Sequence, residues 1–229
     1  VALGTATAGS TRVPAACCGI VGLKTTRGLI SLDGVYPVEP KHMDTVGPMA
    51  RDIAGTVEGM DLLQAGFAAK YAAAKAAKPS GSNIRVGRLK LNGTDPDVDA
   101  AIDDALAKAG FQVVQLNDQF RDKWDDAKRD GTTVASAGAW ISDEQFQFAL
   151  AVSSRTKSII RLGQINYTAY GSAIGRQRGW QQALSNIFEQ VDFIPVATLQ
   201  TTPPGLPPFN LNPGILDAVM LPPQNPAPV

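Results

Sequence analysis

Thr7-Ala8-Gly9-Ser10-Thr11-Arg12 places a serine hydroxyl directly behind two of the smallest side chains and two residues ahead of a guanidinium. A carbonyl group can approach a backbone that carries so little bulk. Successive N–H groups of such a turn can also converge on the oxyanion that forms when the hydroxyl attacks. The same residues equally make an ordinary tight turn, so the stretch by itself leaves both readings open. The Gly-x-Ser-x-Gly pattern of a strand-to-helix nucleophile elbow is absent.

Other patterns that could hold a ligand fail on spacing or on count. In Gly19-Ile20-Val21-Gly22-Leu23-Lys24-Thr25-Thr26, two residues separate the glycines and Leu23 precedes Lys24. A phosphate-cradling P-loop needs four residues between its glycines and lysine directly after the second. The single histidine, His42, cannot build a metal site alone, and Cys17 and Cys18 are adjacent rather than spaced as CxxC. No metal and no cofactor is expected. With one imidazole in the chain, a serine nucleophile would need a base other than histidine.

The 229 residues carry 21 Lys+Arg against 21 Asp+Glu, and 44% are hydrophobic. This balance provides no bulk field to attract nucleic acid or an anionic membrane surface. No apolar run approaches the ~20 residues of a membrane span, and the first residues lack the basic and apolar regions of a signal peptide. The expectation is a globular, cytoplasmic protein with a small-molecule substrate, no nucleic-acid partner and no membrane partner. Its oligomeric state is not encoded in any motif.

The elements that would position the serine follow from pattern. Residues 1–50 are rich in Gly, Thr, Val and Pro and read as strands and tight loops. Ile53, Val57, Met60 and Leu63 recur at helical spacing, with Gly66 as a stop and an Ala/Lys helix over 68–78. Ile84–Leu89 reads as a strand, Asp95-Pro96 as a helix start, Gly110 as a helix stop and Phe111–Leu116 as a second strand. Together they predict a right-handed βαβ unit with parallel strands. Residues 121–190 read as mostly helical, Val191–Val196 as a strand, and the proline-crowded end after Leu199 as a surface tail. Trp124, Trp140 and Trp180 are expected in the core or over it.

Leu3-Gly4-Thr5, Thr7-Ala8-Gly9-Ser10, Arg12-Val13-Pro14-Ala15-Ala16, Cys18-Gly19, Val21-Gly22-Leu23-Lys24 and Thr26-Arg27-Gly28 run in order without a gap. Gly34-Val35, Pro37 and Asp44-Thr45-Val46-Gly47-Pro48-Met49-Ala50-Arg51 continue the series. In these residues the chain resembles the amidase signature family, densely up to Arg51 and more loosely through the βαβ unit and the later helices. The resemblance implies an α/β fold: a mixed, mostly parallel sheet flanked by helices, incomplete at both ends. Residues 1–66 would hold the core and nucleophile loop and 67–83 a helix tail and linker. Residues 84–229 would supply the rest of the same single domain.

The resemblance also implies chemistry, a Ser–cis-Ser–Lys arrangement that cleaves carboxylic acid amides through an acyl-enzyme. Ser10 aligns with the nucleophile. The backbone N–H groups of Thr7, Ala8, Gly9 and Ser10 align with the oxyanion hole, and Arg12 and Asp44 are possible supports. The family's lysine and bridging serine lie upstream of the nucleophile, and the nine residues before Ser10 contain neither. The chain is therefore expected to be an interior portion of a longer amidase, with little activity alone. Alternatives are a non-catalytic remnant or scaffold, or the amidase component of allophanate hydrolase or of a tRNA-dependent amidotransferase. Three positions depart from the family pattern: Ala6 stands where aspartate is usual, Thr25 where proline is usual and His42 where serine is common. Arg12 would then lack a nearby carboxylate. Cys17 and Cys18 are expected to pack as small hydrophobes.

Overall fold

The computed structural model describes residues 1–77 and 83–203. Its α/β chain falls into two compact units. One comprises Val1–Ala76 and Asp126–Arg178; the other comprises Ala77–Asp125 and the described part of Gly179–Asn225. Two of the boundaries lie within long helices, α5 (Asp118–Asp143) and α6 (Ser154–Phe188). The proline-rich tail predicted beyond Leu199 lies, after Pro203, outside the described residues.

In the first unit, β1 (Ala2–Ala6), β2 (Val21–Gly22) and β3 (Thr45–Ala50) form an antiparallel sheet in the order β1-β3-β2. Ala6 pairs with Thr45, Gly4 with Gly47 and Val21 with Ala50. The centre of this sheet admits no side chain at Gly47, where a Cβ would overlap the Leu23 carbonyl. Helix α1 (Arg12–Cys17) interrupts the stretch read as strands and loops. At six residues it is too short for periodicity to reveal. Helix α2 (Ile53–Leu63) starts where expected: Asp52 caps it by accepting from Gly55 N at 2.9 Å, and Met60 is fully buried. Helix α3 (Phe67–Ala76) follows Gly66, whose φ of +84° suits glycine.

Met43, Val134 and Ala173 form a buried cluster against which Tyr170 and Ile174 pack. They join the segment before β3 to α5 and α6. The two helices approach closely at Gly163, where a Cβ would overlap the Ser136 carbonyl. Cys17 and Cys18 are exposed free thiols, not the packed residues expected. They lie at and just past the end of α1, of whose residues only Ala15 is buried.

The second unit contains the predicted βαβ. Strands β4 (Arg85–Arg88) and β5 (Gln112–Gln115) pair in parallel, linked by α4 (Pro96–Ala109). Asp95 caps α4 at Asp97 N, 2.9 Å away, and Gly110 ends it in the left-handed region at φ 68°. The strand predicted at Val191–Val196 is reduced to one parallel bridge, Val86 to Phe193. Two residues limit the pairing: Asp192 turns its carboxylate onto Arg85 N at 2.8 Å, and Pro195 has no N–H to donate. Trp124 and Trp180, both buried, meet edge to face at 5.8 Å, and Phe120 stacks on Trp180 at 5.6 Å. These two tryptophans are core, as predicted; Trp140 is half-buried.

Candidate active site

The serine turn hangs between a sheet strand and a helix. β1 delivers the chain to Ala6, buried and paired with Thr45, whose hydroxyl donates to the Ala6 carbonyl at 3.2 Å. Helix α1 receives it at Arg12. Between them Val13 N donates to Gly9 O at 2.8 Å, and the Arg12 guanidinium reaches back to Ala8 O at 2.6 Å. Ser10 is exposed, and its hydroxyl has no partner among the described residues. The backbone N–H groups of Ala8, Gly9 and Ser10 likewise have no acceptor among the described residues. One free hydroxyl and three free N–H donors therefore fall within three consecutive residues.

Thr7 anchors the turn through its side chain. Its hydroxyl donates to Asp44 Oδ1 at 2.7 Å. Asp44 is buried and also accepts from Val38 N at 2.9 Å and from Glu39 N at 3.0 and 3.1 Å. A carboxylate accepting this many bonds fixes both ends that it joins. Of the residues singled out in the sequence, Thr7 and Asp44 are thus in direct contact. Asp44 serves the segment at 38–39 and the serine turn.

Arg12 does not reach a carboxylate. Among the described residues no acid pairs with Arg12 or Lys24, and Arg12 Nε is buried without an acceptor. Burial pushes the Arg12 pKa down. At Lys24 burial does the same, with the charge of Arg12 adding to it. Lys24 Nζ meets only the Thr25 carbonyl, at 3.3 Å. Thr25, one of the departures noted above, is buried and donates to Val46 O at 2.7 Å, bonding the segment after β2 to β3.

One constellation went unseen in the sequence. Glu39, almost fully buried, accepts from His42 N at 2.7 Å and from the Tyr170 hydroxyl at 2.7 Å. His42 Nδ1 lies 3.1 Å from Glu39 Oε1, the oxygen that accepts from Tyr170, and 3.2 Å from Tyr170 Oη. Burial, then the bond to Glu39 and its charge, raise the Tyr170 pKa. Tyr170 is thus a packing and hydrogen-bonding residue, while Arg178 on the same helix is exposed. The i,i+3 spacing of Glu39 and His42 was the available signal; their third member lies 128 residues beyond His42.

Cavities open among the described residues of this unit. One, of about 500 Å³, is lined by Tyr36, Asp143, Phe146 and Ile160 among others; another, of about 280 Å³, by Glu39, Gly138, Tyr167 and Tyr170 among others. Ser10 lines neither. No group of His, Cys, Asp and Glu able to hold a metal occurs among the described residues, and no described helix is long and apolar enough to cross a membrane.

Comparison with known proteins places this geometry in context. A family model described as Amidase matches residues 1–220. The chain is 32% identical over 225 residues to a 2-amino-5-chloromuconic acid deaminase of Comamonas testosteroni, covering 90% of this chain and 46% of that protein. It is 28% identical over 197 residues to a glutamyl-tRNA(Gln) amidotransferase subunit from Halobacterium salinarum, covering 81% and 42%. A crystal structure of an amidase superposes with a TM-score of 0.70 at 20% identity, covering 91% of this chain and 46% of that one. The chain spans about half the length of the curated relatives it matches.

Proposed function

The chain belongs to the amidase family, and from that premise we propose that it carries the nucleophilic half of a serine amidase site, with Ser10 as the attacking residue. Ser10 Oγ adds to the carbonyl carbon of a linear amide, and the oxygen becomes an oxyanion held by the N–H groups of Thr7, Ala8, Gly9 and Ser10. Collapse expels ammonia or an amine, which takes a proton as it leaves, and gives an ester on Ser10. Water then adds to that ester and releases the acid. The observation that carries the reading is the coincidence of an exposed, unpartnered hydroxyl with three unpartnered N–H groups in Ala8-Gly9-Ser10. A buried donor left without an acceptor costs free energy, and Gly9 is buried.

The proton of Ser10 needs an acceptor. In the arrangement that the family resemblance implies, a desolvated, neutral lysine takes it through a bridging serine. Neither residue type occurs among residues 1–9, and the Ser10 hydroxyl has no partner among the described residues. The likeness to amidotransferase subunits supports a second reading in which an amine, not water, resolves the acyl-enzyme.

Labelling with a fluorophosphonate tests the assignment, since such probes phosphonylate activated serines. Labelling is expected on Ser10 at a slow rate and is lost in Ser10→Ala. Modification that persists in that variant, or that maps to another serine, overturns the reading.

A further inference from the structure

Beside the serine turn, two cations stand without a counter-charge. β2 lies directly on α1: a Cβ on Gly22 would overlap both the Ala15 methyl and the Thr11 carbonyl. Arg12 on the first turn of α1 and Lys24 two residues past β2 are thereby held on neighbouring segments. Neither has an acidic partner among the described residues. Arg12 gives one N–H to the Ala8 carbonyl, two residues from Ser10, while its Nε–H is buried and unused. Lys24 gives one proton to the Thr25 carbonyl at 3.3 Å. Ala6, buried at the end of β1, brings no carboxylate to the turn.

Two half-buried cations within each other's field destabilise one another and their surroundings unless an anion joins them. Burial lowers the pKa of both groups, and at Lys24 the charge of Arg12 adds to it. A carboxylate suits these two cations: its two oxygens match the fork of a guanidinium and leave lone pairs for an ammonium. The rival anion, a nucleotide phosphate, lacks its cradle here because the glycine spacing at 19–22 is wrong. We propose that Arg12 and Lys24 together seat a carboxylate of the substrate, so that the chain acts on amides whose molecule also bears a free carboxylate. The proposal rests on the reading of Ser10 as nucleophile, which puts the scissile bond beside the carbonyl that Arg12 holds.

Calorimetric titration of the full 229-residue chain with succinamate, butyramide and inorganic phosphate tests it without requiring turnover. Succinamate is expected to bind at least roughly tenfold tighter than butyramide, with an advantage that shrinks as salt is added. In Lys24→Gln and in Arg12→Gln the advantage falls towards one, and Arg12→Lys recovers part of it by keeping the charge. Equal binding of the two amides, an advantage intact in both glutamine variants, or phosphate binding as tightly as succinamate overturns the proposal. Lys24→Gln, on a less buried side chain, keeps the test open if Arg12→Gln does not fold. Parallel labelling of Ser10 separates the two ideas. Carboxylate-dependent binding without Ser10 labelling rejects the nucleophile and keeps the seat; labelling without a carboxylate advantage rejects the seat alone.

Discussion

At the scale of single residues, the serine turn depends on Asp44 more than on any residue within it. The turn has no strand ladder of its own, and its tie to the 38–39 segment is the bond from the Thr7 hydroxyl to a carboxylate that also holds Val38 N and Glu39 N. In Asp44→Asn an amide NH2 faces donors that previously met oxygen. Such a mismatch at a buried site costs about 1–3 kcal/mol, and it releases Thr7. The expected outcome is a drop of roughly 2 kcal/mol in urea-measured stability together with about tenfold slower labelling of Ser10. Thr7→Val, which removes one donor and leaves the carboxylate paired, is expected to cost about 1 kcal/mol. Unchanged labelling in both variants would show that the turn keeps its shape without this clamp. The small residues of the turn and the carboxylate at 44 were legible in the sequence; the contact between them was not, because 37 residues separate Thr7 from Asp44. The same limit hid Glu39, His42 and Tyr170, and spacing alone could not tell that Cys17 and Cys18 face solvent.

At the scale of elements, legibility followed the presence of local signals. Asp95-Pro96 and Gly110 bracket α4 by capping chemistry that acts within a few residues, so sequence and structure agree there. Helix α1 has neither length nor a side-chain cap. The 191–196 segment has β-forming residues, but its pairing is decided by Asp192 and Pro195. What no local signal announced is the charge inside the βαβ unit. Arg88 ends β4 fully buried, its Nε on Asp103 at 2.7 Å and its Nη2 on Asp99 at 2.5 Å, both carboxylates one turn apart on α4. Strand and crossover helix are therefore joined by a buried cation that depends on its acids. Asp99→Ala leaves Arg88 buried with one of its two carboxylates and is expected to destabilise by about 2–3 kcal/mol in chemical denaturation. A loss below ~0.5 kcal/mol would mean that Asp103 and the backbone carbonyls suffice. The pair also sets an acid limit. Hydrogen bonds from Arg88 and Lys90 hold Asp103 below the ordinary carboxylate range. Its contribution is complete above the unfolded value near 3.8 and is lost as pH falls through the lower folded one. Unfolding monitored below about pH 4 should therefore begin earlier in wild type than its neutral-pH stability suggests, and Asp103→Asn should flatten that dependence.

For the whole molecule, membership of the family, the unpartnered donors of the turn and a Ser10 hydroxyl with no partner among the described residues lead to one quantitative expectation. A serine hydroxyl is a weak nucleophile at neutral pH without an adjacent acceptor for its proton. Serine hydrolases stripped of a catalytic partner retain only about 10³–10⁴-fold acceleration over water, supplied by oxyanion binding and substrate positioning. The 229-residue polypeptide holds Ser10 and the free N–H groups around it. Hydrolysis of succinamate by the purified chain is accordingly expected to stay at or below that acceleration and to depend on Ser10. The measurement is ammonia release from wild type and Ser10→Ala over a range of pH. Faster turnover that vanishes in Ser10→Ala would show that a base within these 229 residues activates the serine. Release that is equal in both proteins would remove Ser10 from the chemistry altogether.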